Sequence, residues 1–309
     1  GGGGFIGGHL ANFYQKKGYD TISVDIKKKK HWFQINPQVK NIEGDCRDPV
    51  ICDRITKGVD YIFNLAAIIG VSNVIKSPYK VLTNNFMIQS KAIIIANKQN
   101  KLKKFIFFST SEVYAGSNLY FRTKVPSPEN TPLTISNLNN KRSTYMISKI
   151  YGEAMCYNSN LPFLILRPHN IYGERMGLNH VIPEVLKKIK KLKSNNPLKI
   201  YTPHHTRSFC YVDDAIEQII KLTFSKVKDE VFNIGNDKNE ISIFDLVKKC
   251  LKILGKNNKI VKLKNIHNSP NRRCPNMNKT FNCIKRNKFS SLNYGIGKMI
   301  KWYEENKLI

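Results

Sequence analysis

Residues 1–25 read GGGGFIGGHLANFYQKKGYDTISVD. Glycines at positions 1, 4 and 7 stand directly before an amphipathic run, Gly7 to Lys17, that predicts a helix. A loop of that composition lets the backbone turn tightly, approach a pyrophosphate and aim helix amides at it. The β-branched run Thr21 to Val24 predicts the next strand, and Asp25 ends it. A carboxylate at that place accepts hydrogen bonds from an adenosine ribose and repels a 2′-phosphate, which favours NAD over NADP. The chain starts inside the glycine loop, without an initiator Met or a preceding strand, although a doubly wound sheet carries that strand at its centre. Losing it would leave two unpaired strand edges, so the sequence reads as a fragment.

Working outward, strands are expected at Lys40 to Glu43, Tyr61 to Leu65, Phe105 to Ser109 and Phe163 to Leu166. Helices are expected between them at Pro49 to Thr56, Thr83 to Gln99 and Thr144 to Asn158. This alternation is that of a parallel sheet covered by helices. The second half is less regular. Helical patterns fall at Val181 to Lys193, Asp214 to Phe224, Ile243 to Leu254 and Ile296 to Glu305, with short strands at Leu198 to Tyr201 and Glu230 to Ile234. Asp214 with Glu217, and Ser242 with Asp245, have capping spacing, so these acids are read as helix caps.

The 309 residues are 41% hydrophobic and 24% charged, which excludes a disordered chain, a collagen-like repeat and a disulfide scaffold. The longest apolar stretches, Tyr61 to Val71 and Phe105 to Phe108, are strand-sized, so a soluble, cytoplasmic protein without membrane association is expected. Seven cysteines without a CxxC pair or a zinc-spaced Cys/His cluster predict free thiols and no metal site. The net charge is +29, yet only Lys27 to Lys30 forms a tight run. Charge alone speaks to solubility and non-specific binding. A coding bias toward Lys, Asn and Ile accounts for it as well as a nucleic acid, a membrane surface or an anionic ligand would.

Tyr145-Met-Ile-Ser-Lys149 puts a phenol and an ammonium on one helix face. Lys149, together with an oxidised nicotinamide, is expected to lower the Tyr145 pKa so that the phenol serves as a base. Upstream, the strand Phe105 to Phe108 runs into Ser109-Thr110-Ser111-Glu112-Val113-Tyr114. Hydroxyls and a carboxylate thereby stand at the C-terminal end of a strand, where ligand crevices of open α/β sheets lie.

With these motifs the chain resembles an extended short-chain dehydrogenase/reductase of the sugar-nucleotide epimerase/dehydratase family. The likeness runs from Gly1 to Tyr303. It includes the strand ending Asn64-Leu65-Ala66-Ala67, the phrase Arg167-Pro168-His169-Asn170-Ile171-Tyr172-Gly173, Thr206-Arg207-Ser208-Phe209-Cys210-Tyr211-Val212-Asp213, and Trp302-Tyr303. The resemblance implies a Rossmann-like doubly wound α/β domain binding NAD over residues 1–166. It assigns 167–309 to a smaller α/β region binding the sugar nucleotide, with some segments returning to the sheet. Gly1, Gly4, Phe5, Ile6, Gly7 and Asp25 would hold the pyrophosphate and ribose, and Asp45 and Cys46 would flank the adenine. Leu65, Ala66, Ala67, Asn84 and Pro168 would line the cofactor path. Thr110, Tyr145 and Lys149 match the catalytic trio, with Lys149 also gripping the nicotinamide ribose, and Ser111, Asn170, Arg207 and Arg273 match substrate contacts. The resemblance further implies a homodimer through the helices Thr83 to Gln99 and Thr144 to Asn158. Phe86, Ile93, Ile150 and Met155 would face either the partner or the home sheet.

The implied first step oxidises the sugar C4 hydroxyl, with Tyr145 taking the proton. The resulting ketone admits 4-epimerisation, 4,6-dehydration or loss of a C6 carboxylate. Glu112 discriminates among them, because a simple epimerase needs no carboxylate beside Thr110. The phrase Thr110 to Tyr114, with Thr206 to Asp213 and Arg272 to Met277, resembles UDP-glucuronate decarboxylases more than galactose epimerases. Departures from the pattern border the substrate site: Thr202-Pro203-His204-His205 replaces a glycine-rich turn, Glu174 a proline and Ala115 a glycine. Both histidines are read as exposed loop residues. A rival reading is a non-catalytic dinucleotide-binding protein that uses its basic surface on RNA. It leaves the joint presence of Thr110, Tyr145 and Lys149 unexplained.

Overall fold

In the computed structural model, which describes residues 1–32, 35–55, 58–135, 137–263, 270–285 and 288–309, the opening glycines lead into α1 (Phe5–Lys16) and β1 (Ile22–Asp25). The alternation continues through β2 (Lys40–Glu43), α2 (Pro49–Ile55), β3 (Tyr61–Asn64), α3 (Val71–Lys76), α4 (Pro78–Asn97) and β4 (Lys104–Phe108). Thr56, placed in a helix by the sequence pattern, lies outside the described residues. The short α5 (Ala115–Tyr120) and the longer α6 (Ser143–Tyr157) precede β5 (Phe163–Pro168) and β6 (Ile171–Tyr172). The remainder comprises α7 (Val181–Lys191), β7 (Leu198–Tyr201), β8 (Thr206–Ser208), β9 (Cys210–Tyr211), α8 (Val212–Phe224) and β10 (Glu230–Ile234). It closes with β11 (Glu240–Ser242), α9 (Ile243–Ile253), β12 (Ile260–Leu263), β13 (Arg272–Arg273), α10 (Asn278–Ile284) and α11 (Leu292–Glu305).

Four parallel strands form the main sheet in the order β10-β5-β4-β3. Buried on both faces, parallel strands read as continuous apolar runs rather than alternating ones, as KFIFF and FLILRP do here. β1 and β2 form a separate parallel pair. The Gly1 and Gly2 nitrogens both donate to the Val24 carbonyl, at 2.8 and 3.0 Å, and a Cβ on Gly1 would lie 2.8 Å from the Ala66 nitrogen. The glycine loop therefore threads between the ends of β1 and β3.

α6 lies tight against β4 because Gly152 has no side chain; a Cβ there would come within 2.5 Å of the Phe107 ring. Lys104 is buried at the start of β4, and its ammonium donates to the carbonyls of Leu222, Thr223 and Ser225 at the end of α8. A cation there meets the negative end of the helix dipole and satisfies orphan carbonyls. A smaller sheet joins β11, β8 and β13, with Arg273 in register beside Arg207.

The Ser242 hydroxyl caps α9, accepting from the Asp245 amide at 3.0 Å, as its spacing predicts. Asp214 departs from its expected capping role. α8 begins two residues earlier, so Asp214 lies inside it and accepts from the Ser290 amide (2.9 Å) and hydroxyl (3.2 Å), tying α8 to the approach of α11. Among the described residues no helix is long and apolar enough to cross a membrane.

Candidate active site

β4 stops at Phe108, and Thr110 then caps a single 3₁₀ turn, Ser111–Tyr114, its hydroxyl accepting from the Glu112 amide at 3.2 Å. Thr110, Ser111 and Glu112 are thus presented together beyond the strand end. α6 brings Tyr145 and Lys149 to the same place. Thr110 lies near enough to Tyr145 to favour its phenolate, and the Lys149 ammonium lies 5.9 Å from the Tyr145 ring centre.

Burial pushes the Tyr145 phenol well above its ordinary range, the Glu112 carboxylate raises it further, and Thr110 opposes both. The expected acidification of the phenol requires an oxidised nicotinamide as well as Lys149. The Lys149 ammonium donates to the Phe108 carbonyl at 2.7 Å, and burial pulls it down to about 8, against the raising influence of Glu153 and Cys156. The chain alone therefore keeps Tyr145 protonated, because moving a charge out of water costs more than these neighbours return.

Burial also opposes the charge on Glu112, but Arg273, hydrogen-bonded to it, and the more distant arginines together outweigh burial and hold the carboxyl below its usual range. Arg142 and Arg207 act on it in the same direction. Neighbouring parallel strands present register partners on one face, so β8 and β13 bring Arg207 and Arg273 side by side. Arg207 is pulled down to about 10, by burial first and then by Arg273 and Arg142. Its guanidinium donates to the carbonyls of Thr206 and Asn271 at 2.7 and 3.2 Å. One guanidinium, that of Arg273, thus holds the carboxylate, while Arg142 and Arg207 favour its charge through space. Arg142 was not singled out from the sequence; its place one helical turn before Tyr145 is the signal that would have found it. Asn170 takes a left-handed conformation (φ 41°), which Asn tolerates better than most residues, and its amide donates to the Ser208 carbonyl at 3.0 Å.

At the cofactor end, Gly4 donates to the Gly1 carbonyl at 3.1 Å, and a Cβ on Gly7 would sit 2.2 Å from that same oxygen. Phe5 and Ile6 open α1 directly above this turn. The Asp25 carboxylate accepts from the Gly3 and Lys27 amides at 3.1 and 2.9 Å. Arg47, also missed, spans the next positions: it forks onto Asp45 at 2.6–3.0 Å and donates to the Asn84 side-chain oxygen. Cys46 lies between them, its thiol pushed up by burial. Leu65 and Ala66 touch the Gly1 backbone position, with Ala67 next in chain. Buried Asn85 joins the backbone of Ile68 to the Ser148 hydroxyl, bracing this loop against α6. Pro168 ends β5 opposite Ile234. A loop with no room for side chains at Gly1 and Gly7, leading into a helix N-terminus and followed by a strand-end carboxylate, fits a dinucleotide.

His204 is exposed as expected, whereas His205 is 7% exposed, because its amide and carbonyl join the Thr202 turn to Ile243 at the start of α9. Glu174, one of the departures, accepts from the Tyr211 hydroxyl at 2.8 and 3.0 Å and so fastens the loop after β6 to β9.

The profile of the NAD dependent epimerase/dehydratase family matches residues 1–235. The chain is 28% identical to a UDP-N-acetyl-alpha-D-glucosaminuronate decarboxylase from Bacillus cytotoxicus, across 99% of this chain and 96% of that protein. It is 30% identical to a dTDP-D-glucose 4,6-dehydratase from Dictyostelium discoideum, across 82% of this chain and 61% of that one. A crystal structure of a mutant UDP-glucuronic acid 4-epimerase from Bacillus cereus, in complex with UDP-4-deoxy-4-fluoro-glucuronic acid and NAD, superposes with a TM-score of 0.85. It has 25% identity and covers 99% and 98% of the two chains.

Proposed function

The chain belongs to the NAD dependent epimerase/dehydratase family, whose members act on sugar nucleotides, and on that premise we propose that it oxidises C4 of a nucleotide-diphosphate uronate and expels the C6 carboxylate, as UDP-glucuronate decarboxylases do. The observation that carries this reading is Glu112, two residues from Thr110, its carboxylate paired with Arg273 and its charge further favoured by Arg142 and Arg207. Planar guanidinium forks such as those of Arg207 and Arg273 suit both a diphosphate and a sugar acid.

Gly1, Gly4, Gly7 and Asp25 would hold the dinucleotide pyrophosphate and ribose, and Lys149 the nicotinamide ribose. When bound, NAD supplies a cationic ring that takes hydride from the sugar C4 and can return it. Tyr145 receives the C4 hydroxyl proton, relayed through Thr110. Because burial and Glu112 raise the phenol, it becomes a competent base only when positive charge is added beside its ring, which ties base strength to a loaded site. A C6 carboxylate is β to the C4 ketone so formed. The C5–C6 bond breaks, its electron pair moves into an enolate on C4, and carbon dioxide leaves; a proton delivered to C5 restores the ketone.

Incubating the protein and NAD with UDP-glucuronate, UDP-glucose, UDP-N-acetylglucosamine and GDP-mannose tests this. Loss of the mass of carbon dioxide from the uronate is expected. Loss of the mass of water, or unchanged mass with altered retention, would replace decarboxylation by dehydration or 4-epimerisation.

We read residues 1–166 as the NAD-binding domain and 167–309 as the sugar-nucleotide region, with β10 returning to the main sheet. We also read the outer faces of α4 and α6 as a homodimer interface. Leu82, Phe86, Met87, Ile147 and Tyr151 line an open apolar groove there, and the Phe86 and Tyr151 rings lie 4.9 Å apart. Ile93 is buried toward the home sheet instead, and Met155 packs on the same inner cluster. Seven free thiols accord with a cytoplasmic setting.

A further inference from the structure

We propose that the buried ion pair Arg167–Glu153 is a positioning pair, which locks the turn carrying Thr110 and Glu112 and the helix carrying Lys149 into one frame. This rests on the roles given to those residues above. The two side chains are 5% and 4% exposed, and the Arg167 guanidinium forks onto Glu153 at 2.9 and 2.6 Å. The same Glu153 oxygen that takes the 2.9 Å bond also accepts from the Ser109 hydroxyl, in the residue before Thr110. Glu153 lies four residues after Lys149, one turn along α6. The remaining guanidinium nitrogen donates to the Tyr114 hydroxyl (2.8 Å) and the Glu129 carbonyl (3.0 Å), and Tyr114 lies two residues beyond Glu112. Tyr114 in turn donates to Asn233 on β10 at 2.9 Å. Each catalytic segment therefore has a near neighbour bonded to this single pair.

A buried ion pair is weak evidence for stability, because desolvation cancels much of its attraction and apolar residues of similar volume often do as well. What apolar residues cannot supply is direction. A bidentate fork with further hydrogen bonds fixes three backbones at defined angles, which a reacting geometry requires. The pair is also electrostatically active: Glu153 favours the Lys149 proton against burial. The other groups around that ammonium are the Cys156 thiol, the Phe108 carbonyl and the Phe107 and Tyr145 rings.

The test uses the full chain in two forms. Ser109→Ala cuts one link without leaving a buried charge unpaired. The double variant Glu153→Leu/Arg167→Met removes both charges at similar volume. Melting temperature, kcat, KM for the nucleotide sugar and amide exchange over residues 109–115 are measured for each. A positioning role predicts that folded Ser109→Ala loses about tenfold in kcat and the double variant about a hundredfold, the scale of an ångström-sized misplacement. KM should change far less, amides 109–115 should exchange faster, and the alkaline limb of kcat in the double variant should move to lower pH. A purely structural pair predicts a shifted melting temperature with wild-type kcat, exchange and pH profile below the transition, and that result overturns the proposal. Should the double variant not fold, Ser109→Ala decides alone. Should the wild type act on no nucleotide sugar, the proposed function fails, and the exchange measurement still decides the pair: faster exchange upholds it and unchanged exchange ends it.

Discussion

Tyr145 is the proposed base, and burial and Glu112 hold its proton in place. Tyr145→Phe should abolish sugar oxidation, a loss of at least about 10²–10⁴-fold, while NAD binding measured by calorimetry stays within a few-fold of wild type. Full activity in that variant would end the assignment. Glu112→Gln removes the charge that raises the phenol, so the acid limb of the rate profile should shift to lower pH even as decarboxylation slows. On the proposed mechanism Lys149 sets the other limb. Its folded-state pKa of about 8 lies below the usual lysine value, so kcat/KM should fall as pH rises through about 8. Stability carries the opposite sign: between that value and the ordinary one, the unfolded lysine holds more protons than the folded one, so its contribution to stability rises with pH. Thermal melts at pH 7 and 9 on wild type and Lys149→Met separate this contribution from the rest.

α6 is held against β4 by an absence, the missing side chain of Gly152. In Gly152→Ala the Phe107 ring or the helix must move, which costs about 1–3 kcal/mol and displaces Tyr145 and Lys149 along with it. Both melting temperature and kcat should therefore fall. Ser242→Ala gives the contrast: it deletes the α9 cap, should cost about 0.5–2 kcal/mol, and should leave kcat of the folded enzyme unchanged because no catalytic group rides on that helix. Equal kcat losses in the two variants would contradict this division of roles. At this scale the sequence was legible wherever an element had its own period: the apolar strands β4 and β5 and the helices α6 and α9 fall within two residues of expectation. The start of α4 was not, because Pro78 at its first turn is a helix opener whose signal lies outside the periodic stretch.

Over the whole molecule, the outer apolar groove of α4 and α6 and the +29 charge make separable predictions. Phe86→Asp should convert a dimer to a monomer in sedimentation at equal protein concentration. A monomeric wild type would remove the interface. Lys27, Lys28, Lys29 and Lys30 are all exposed and bring no guanidinium to the site. Turnover should therefore respond to loss of Arg142, Arg207 or Arg273 far more than to neutralising that run.

The sequence by itself determined the alternating α/β order, the glycine turn with its terminal Asp25, and the Tyr145/Lys149 spacing on one helix face, because each is a local pattern of period, spacing or residue type. It could not convey that Arg273 pairs with Glu112, that Arg47 bridges Asp45 to Asn84, or that Arg167 and Glu153 bind three segments together. Those are meetings of residues far apart in the chain, created by parallel strand register and helix packing. The direction of the Tyr145 pKa belongs with them: desolvation is a property of everything folded around a group, and no short stretch of sequence carries it.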